Sequence, residues 1–127
     1  MALSTSFRDL NVYKVARREA GVIFERSRNL PPEERCALTD QVRRSARAVK
    51  ALIAEAWGRR RYPGVFANTI DEALGKATET QSWLDDCLDS SYISRVEFTR
   101  LDGAWQSIEA MLKKMIDRTA DFCCTPD

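Results

Sequence analysis

Residues 38–61, LTDQVRRSARAVKALIAEAWGRRR, decide the fold of this chain. Apolar or small residues recur at Leu38, Val42, Ser45, Val49, Leu52 and Ala56, in steps of 4, 3, 4, 3 and 4. That spacing is the heptad seam of a helix packed along its length against other helices. Seven of these 24 residues are Arg or Lys, opposed only by Asp40 and Glu55. Arg43, Arg44, Arg47 and Lys50 fall off the seam, and Arg59, Arg60 and Arg61 carry the charge past the helix end. One helix is therefore expected to fill a core and also to display a basic face.

The same reading extends outward in both directions. Pro31-Pro32, Tyr62-Pro63-Gly64 and Asp89-Ser90-Ser91 are the strong breaks before Thr125-Pro126. Four long segments lie between them, with no alternating strand pattern. The spacing predicts helices over about 8–28, 38–59, 64–89 and 95–120, with a flexible tail over about 121–127. The first carries Tyr13, Ala16, Ala20 and Ile23 on one side and Val12, Val15 and Val22 on a second edge. The third carries Phe66, Ile70, Ala73, Ala77, Gln81, Leu84 and Leu88, and Pro63 suits its first turn. The fourth carries Phe98, Leu101, Trp105, Ile108, Leu112 and Met115, opened by a Ser94-x-x-Glu97 capping box. Thr39 or Asp40 is the expected N-cap of the second. Helices this long joined by short loops form an all-α, up-down-up-down antiparallel four-helix bundle, one domain over 1–127.

Charge is divided along the chain. Residues 1–66 hold 14 Lys/Arg against 7 Asp/Glu, a balance of +7, and residues 67–127 hold 6 against 12, a balance of −6. Such asymmetry predicts an interaction surface for nucleic acid, or for the acidic half of another copy. There is no signal-peptide core and no uncharged apolar run of membrane-spanning length, so a soluble, cytoplasmic protein without membrane contact is expected. Cys36, Cys87, Cys123 and Cys124 form no CxxC pair, and the chain has no His. A zinc site is not expected from that set, and the thiols read as reduced and structural. No phosphate-binding loop, dinucleotide fingerprint, nucleophile elbow or HExxH motif occurs. The expectation is a protein that is not an enzyme, with no cofactor and no metal.

Three clusters carry candidate chemistry. Arg43, Arg44, Arg47, Lys50, Arg59, Arg60 and Arg61 form a candidate nucleic-acid surface, because the planar guanidinium binds two phosphate oxygens at once. Trp57 lies on the same side, placed to stack on an unpaired base. The competing reading makes these residues a solvated helix face and Trp57 an oligomer contact. Asp85, Asp86 and Asp89, with Glu79, crowd a helix C-terminus, where the dipole disfavours acids; they are solvated, or they meet a neighbour's arginines. Glu55 is placed to pair with Arg59 at i+4 or with a residue on another helix. The second apolar edge of helix one, Val12, Val15 and Val22, together with Trp57 and Trp83 off the main seams, is the candidate oligomer interface.

FRDLNVYKVA at 7–16, LTDQVRRSARAVKALIAEAWGR at 38–59, Ala73-Leu74-Gly75 with Glu79 and Leu84, and Ser91-Tyr92-Ile93-Ser94 together resemble one bacterial family. It is the four helix bundle protein family, also called the ribosomal RNA intervening-sequence protein family. The resemblance covers about residues 7–116 and implies a bundle that assembles as a homopentamer without established enzymatic activity. It further implies kinship of fold with a basic accessory protein that binds RNA and a reverse transcriptase. The sequence departs from the family's second-helix motif, placing Lys50, Leu52 and Ala56 where proline, asparagine and glycine are typical. The combined reading is an oligomeric, non-enzymatic interaction protein that binds RNA or a nucleic-acid-handling partner through helix two. The alternative is a protein–protein scaffold with no nucleic-acid role.

Overall fold

The computed structural model describes residues 6–123. Among them are four long helices: α1 (Asn11–Ser27), α2 (Asp40–Gly58), α3 (Pro63–Asp89) and α4 (Arg95–Asp117). A single closing turn follows, α5 (Thr119–Phe122). No described residue is in a strand.

Local chemistry sets most of the boundaries. Pro63 opens α3, where its missing N–H costs no hydrogen bond. Ser94 caps α4, its Oγ accepting from the Glu97 N–H at 3.1 Å. The reciprocal half of the expected capping box is not what holds Glu97: its carboxylate reaches across to Arg26 on α1, at 3.1 Å. The break after α3 is made by Ser91, which takes the left-handed conformation at φ 61°. That turn lets Ser91 and Tyr92 donate their N–H groups to Leu88 and Cys87 carbonyls at 3.0 and 2.8 Å.

The start of helix two differs from expectation. Neither Thr39 nor Asp40 caps it. A turn of 3-10 helix at Pro32–Glu34 runs into a π turn at Arg35–Thr39, which feeds α2 without interruption. The N–H groups that a side chain would have capped are taken up by that continuous turn. At the other end of the chain, the fourth helix stops at Asp117 rather than near 120. Of the tail expected at 121–127, residues 124–127, Cys124 included, lie outside the described residues. The described part is packed: Phe122 stacks on Phe66 with ring centres 5.8 Å apart, and Cys123 is buried.

One apolar core joins the long helices. Ala16, Ala46, Val49, Ile53, Ala56, Phe66, Ile70, Ala73, Ala77, Trp105, Ile108 and Leu112 are fully buried. Ala46 and Ala56 on α2 and Ala73 and Ala77 on α3 are small buried residues of the kind that lets packed helices approach closely. Three seam assignments shift by one residue. On α2 the core position is Ile53, and Leu52 is half-buried beside it. On α3 it is Thr80, while Gln81 turns outward and donates to Asp102 on α4 at 2.9 Å. Leu88 is likewise half-buried, and Cys87 takes the inner place.

Cross-helix pairs fix how the elements lie. Ser45 near the start of α2 bonds Thr80 toward the end of α3 at 2.8 Å. Thr78 donates to Glu109 at 2.9 Å, joining α3 to α4. Arg26 at the end of α1 meets Glu97 at the start of α4. The indole N–H of Trp105 is buried without a hydrogen-bond partner, a cost of about 1–3 kcal/mol that the packing of its ring must offset. No helix among the described residues is long and apolar enough to cross a membrane.

Candidate nucleic-acid interface

The basic residues of α2 divide into three groups once their surroundings are known. Arg43 is half-buried against α1. Its Nε donates to Ser27 Oγ at 2.6 Å, and Ser27 Oγ in turn donates to the Phe24 carbonyl at 2.8 Å. Its guanidinium lies 4.6 Å from the centre of the Phe24 ring, while those of Arg47 and Arg28 lie at 5.0 Å each. Three cations thus share one half-buried aromatic ring, whose electron-rich face attracts them and fixes their planes. Arg44 and Arg47 are exposed on the outer face, with Lys50 half-buried one turn on.

The third group closes the helix. Arg60 lies over the Trp57 ring at 4.0 Å, and its Nη1 donates to the Trp57 carbonyl at 2.9 Å. Arg61 lies over exposed Tyr62 at 5.2 Å. Arg59 is exposed. Placing cations at a helix C-terminus answers the negative end of the dipole. Trp57 is half-buried against the core and carries Arg60 on its ring, so the free indole face expected for base stacking is covered. From Arg43 to Gly58 the strip runs roughly 22 Å along the helix, and Arg59 to Arg61 carry it into the turn beyond.

Charge pairing is uneven. The ion pairs formed among the described residues are Arg18–Glu19, Arg26–Glu97, Arg28–Glu25 and Lys76–Glu79. None of the seven cations from Arg43 to Arg61 is in one. Glu55 is exposed and makes no ion pair with Arg59. Asp85, Asp86 and Asp89 are exposed and equally without an ion pair among the described residues. Glu79 stands apart from them, accepting from Trp83 Nε1 at 3.1 Å and pairing with Lys76 at 3.5 Å. No described group of three His, Cys, Asp or Glu residues is arranged to hold a metal ion.

The expected oligomer residues are also redistributed. Val12 belongs to the core of its own chain and is no part of an outer face. Val12 lies one turn before Ala16, at i and i+4, and so shares its inward face. Val15, Val22, Trp57 and Trp83 are half-buried and pack against that core.

Several residues at this site escaped the sequence pattern. Phe24, Ser27, Arg28 and Arg35 belong to α1 and the turn after it, yet they gather around Arg43. Ser27, Arg28, Pro31, Arg35, Thr39 and Arg43 are among the residues lining a polar cleft of about 310 Å³. The Phe24–Arg28 spacing of i, i+4 was the one local signal available. A second polar link lies behind the cleft, where the Tyr92 hydroxyl donates to Glu34 at 2.9 Å, which raises the phenol's pKa from its ordinary 10.0. Burial, reinforced by the carboxylates of Asp86 and Glu34, pushes the nearby Cys87 thiol up to about 11. That thiol is therefore protonated and inert at neutral pH.

With this geometry in view, the relatives are informative. No curated protein matches the chain. A crystal structure of a protein of unknown function from the S23 ribosomal protein family of Bacteroides thetaiotaomicron VPI-5482 is similar in fold, with a TM-score of 0.76 at 25% identity. The match covers 84% of this chain and 95% of that one. The sequence profile of the 23S rRNA-intervening sequence proteins matches residues 8–114, which include α1, α2, α3, most of α4 and the whole basic strip. From that span, the chain belongs to the 23S rRNA-intervening sequence protein family.

Proposed function

We propose that this protein is a non-enzymatic, homo-oligomeric RNA-binding protein of the cytoplasm, working through the arginine-rich face of α2 and the turn after it. One observation carries the reading: seven cations lie along a single helix and its end, and none is neutralised by a carboxylate among the described residues. Unpaired arginines on a rigid helix are the means by which a protein holds phosphates without reading bases. Arg44, Arg47, Arg59 and Arg61 are the exposed contacts. Arg43 and Arg60, stacked on Phe24 and Trp57, hold the surface in shape. The unpaired acids Asp85, Asp86 and Asp89 lie in the other half of the sequence and favour head-to-tail association. In a closed ring, which we take to be a pentamer, each copy adds its strip to the next, and weak phosphate contacts gain avidity.

The test is a fluorescence-anisotropy titration of RNA at about 50 mM and about 200 mM salt. Four phosphate contacts should weaken affinity roughly 50- to 150-fold between the two. Changing Arg44, Arg47, Arg59 and Arg61 together to Glu should abolish binding while helicity stays as in the wild type. Absence of wild-type binding at the lower salt, or equal binding by the variant, would leave the protein–protein scaffold in its place. A mass equal to one 14.5 kDa chain would refute the assembly.

A further inference from the structure

The cleft between α1 and α2 is separate in shape from the outer face of α2. Three arginines from three elements converge on it: Arg28 from the turn that ends α1, Arg35 from the π turn, and Arg43 from α2. No Asp or Glu lines it, so three arginines share a cleft of about 310 Å³ with no carboxylate in its wall. Like charges held this close repel, and a concave wall concentrates their field. The arrangement persists because two of the three are tethered elsewhere. Arg43 is fixed by its Nε bond to Ser27 and by Phe24, and Arg28 by the same ring and a loose 3.7 Å pair with Glu25. Among the described residues the Nη groups of Arg43 have no partner. Pro31 and Pro32 form part of the wall and stiffen the loop that closes it.

We infer that this cleft binds a phosphate monoester, the phosphorylated end of an RNA strand. The shape separates it from the strip on α2. A continuous backbone needs a surface open along its length, and the exposed face of α2 provides that. A pocket walled by a proline loop admits a chain end. The charge points the same way: three guanidiniums match a dianionic terminal phosphate better than the single charge of an internal phosphodiester. Thr39 lines the cleft beside the arginines and adds a hydroxyl of the kind that contacts phosphate oxygens. The inference rests on the RNA-binding reading for its macromolecule, but not for its chemistry.

The test uses one RNA sequence in three forms, with a 5′-phosphate, a 3′-phosphate or hydroxyl groups at both ends, titrated against the full-length protein. Either phosphorylated end should bind about tenfold tighter than the hydroxyl form. In Arg35→Gln, and independently in Arg28→Gln, that ratio should fall to about one, with helicity checked by circular dichroism. Three equal affinities would overturn the cleft assignment and leave the α2 surface standing. If no RNA binds, yet inorganic phosphate raises the wild-type melting temperature and not that of Arg35→Gln, the cleft stands and the α2 reading falls. If no RNA binds and phosphate raises neither melting temperature, both fall.

Discussion

Replacing Ser45 with Ala and Thr80 with Val, singly and together, tests a hydrogen bond at the centre of the α2–α3 seam. Both side chains are almost completely buried, and their oxygens stand 2.8 Å apart. Each hydroxyl has one proton to give. Thr80 Oγ1 lies 2.9 Å from the Lys76 carbonyl, whereas Ser45 Oγ lies 3.3 Å from that of Val42. The shorter contact takes the Thr80 proton, which leaves Ser45 donating to Thr80. Ser45→Ala then removes a donor but leaves Thr80 bonded to its own helix, a net cost of about 0.5–1.5 kcal/mol. Thr80→Val keeps the shape and removes the acceptor, and Ser45 can fall back on the longer bond to Val42, for a similar cost. In the double variant the same bond is lost once and not twice. The two single losses should exceed the double loss by about 0.5–1.5 kcal/mol. Urea unfolding measures each, with the denaturant slope unchanged across the set. Additive losses, within about 0.3 kcal/mol, would show that the two hydroxyls do not interact and that the register of α2 on α3 is misjudged.

Ile108→Ala should destabilise by about 2–5 kcal/mol, because the side chain is fully buried; Arg47→Ala, removing an exposed side chain 5.0 Å from Phe24, should cost under about 0.5 kcal/mol. Equal losses would put the helical phases of α2 and α4 in error. Ser91→Gly should raise stability by about 0.5–1 kcal/mol, since φ 61° is unfavourable for a residue with a Cβ; a lowered melting temperature would contradict that. Cys87 holds its proton to about 11 in the folded chain, while the unfolded thiol releases it near 9.0. The stability tied to that proton is complete below 9.0 and is lost as pH rises through the folded value, so urea midpoints should fall across that window. In Cys87→Ala the fall should be smaller, and an identical fall would clear Cys87 of the effect. At neutral pH a thiol reagent should label exposed Cys36 well before Cys87.

The seams of the helices were legible because an apolar face repeats along one element. Val42, Val49, Ala56, Ile70, Ile108 and Leu112 all lie where their spacing puts them. The errors fall where two adjacent residues compete for one position. Leu52 and Ile53 are both apolar, and only the pitch of the packed helix decides for Ile53. Gln81 and Thr80 are both polar, and the choice rests on Thr80 finding Ser45, a partner 35 residues away. The basic strip could be read in outline, since it lies on one helix. The cleft could not, because Arg28, Arg35 and Arg43 meet only when the turn between α1 and α2 brings them together. The surroundings of Trp57 were hidden for a related reason: Arg60, which supplies part of the charge, also lies over its ring.

The π turn at Arg35–Thr39 gives this region an unusual tolerance of residue count. A π turn holds one residue more than a regular helical turn. Deleting any one residue from 36 to 38 would let the segment close into continuous α-helix, and four residues at roughly 100° each turn the chain about as far as the wider π turn does with one more. Arg35 would keep its side of the helix, and the preference for a phosphorylated RNA end would survive the deletion. A deletion within α2 has no such slack: it would rotate everything upstream by roughly 100° about the helix axis and carry Arg35 away from the cleft. In this corner of the bundle, relatives one residue shorter in the π turn should keep the cleft, and relatives shortened within α2 should have lost it.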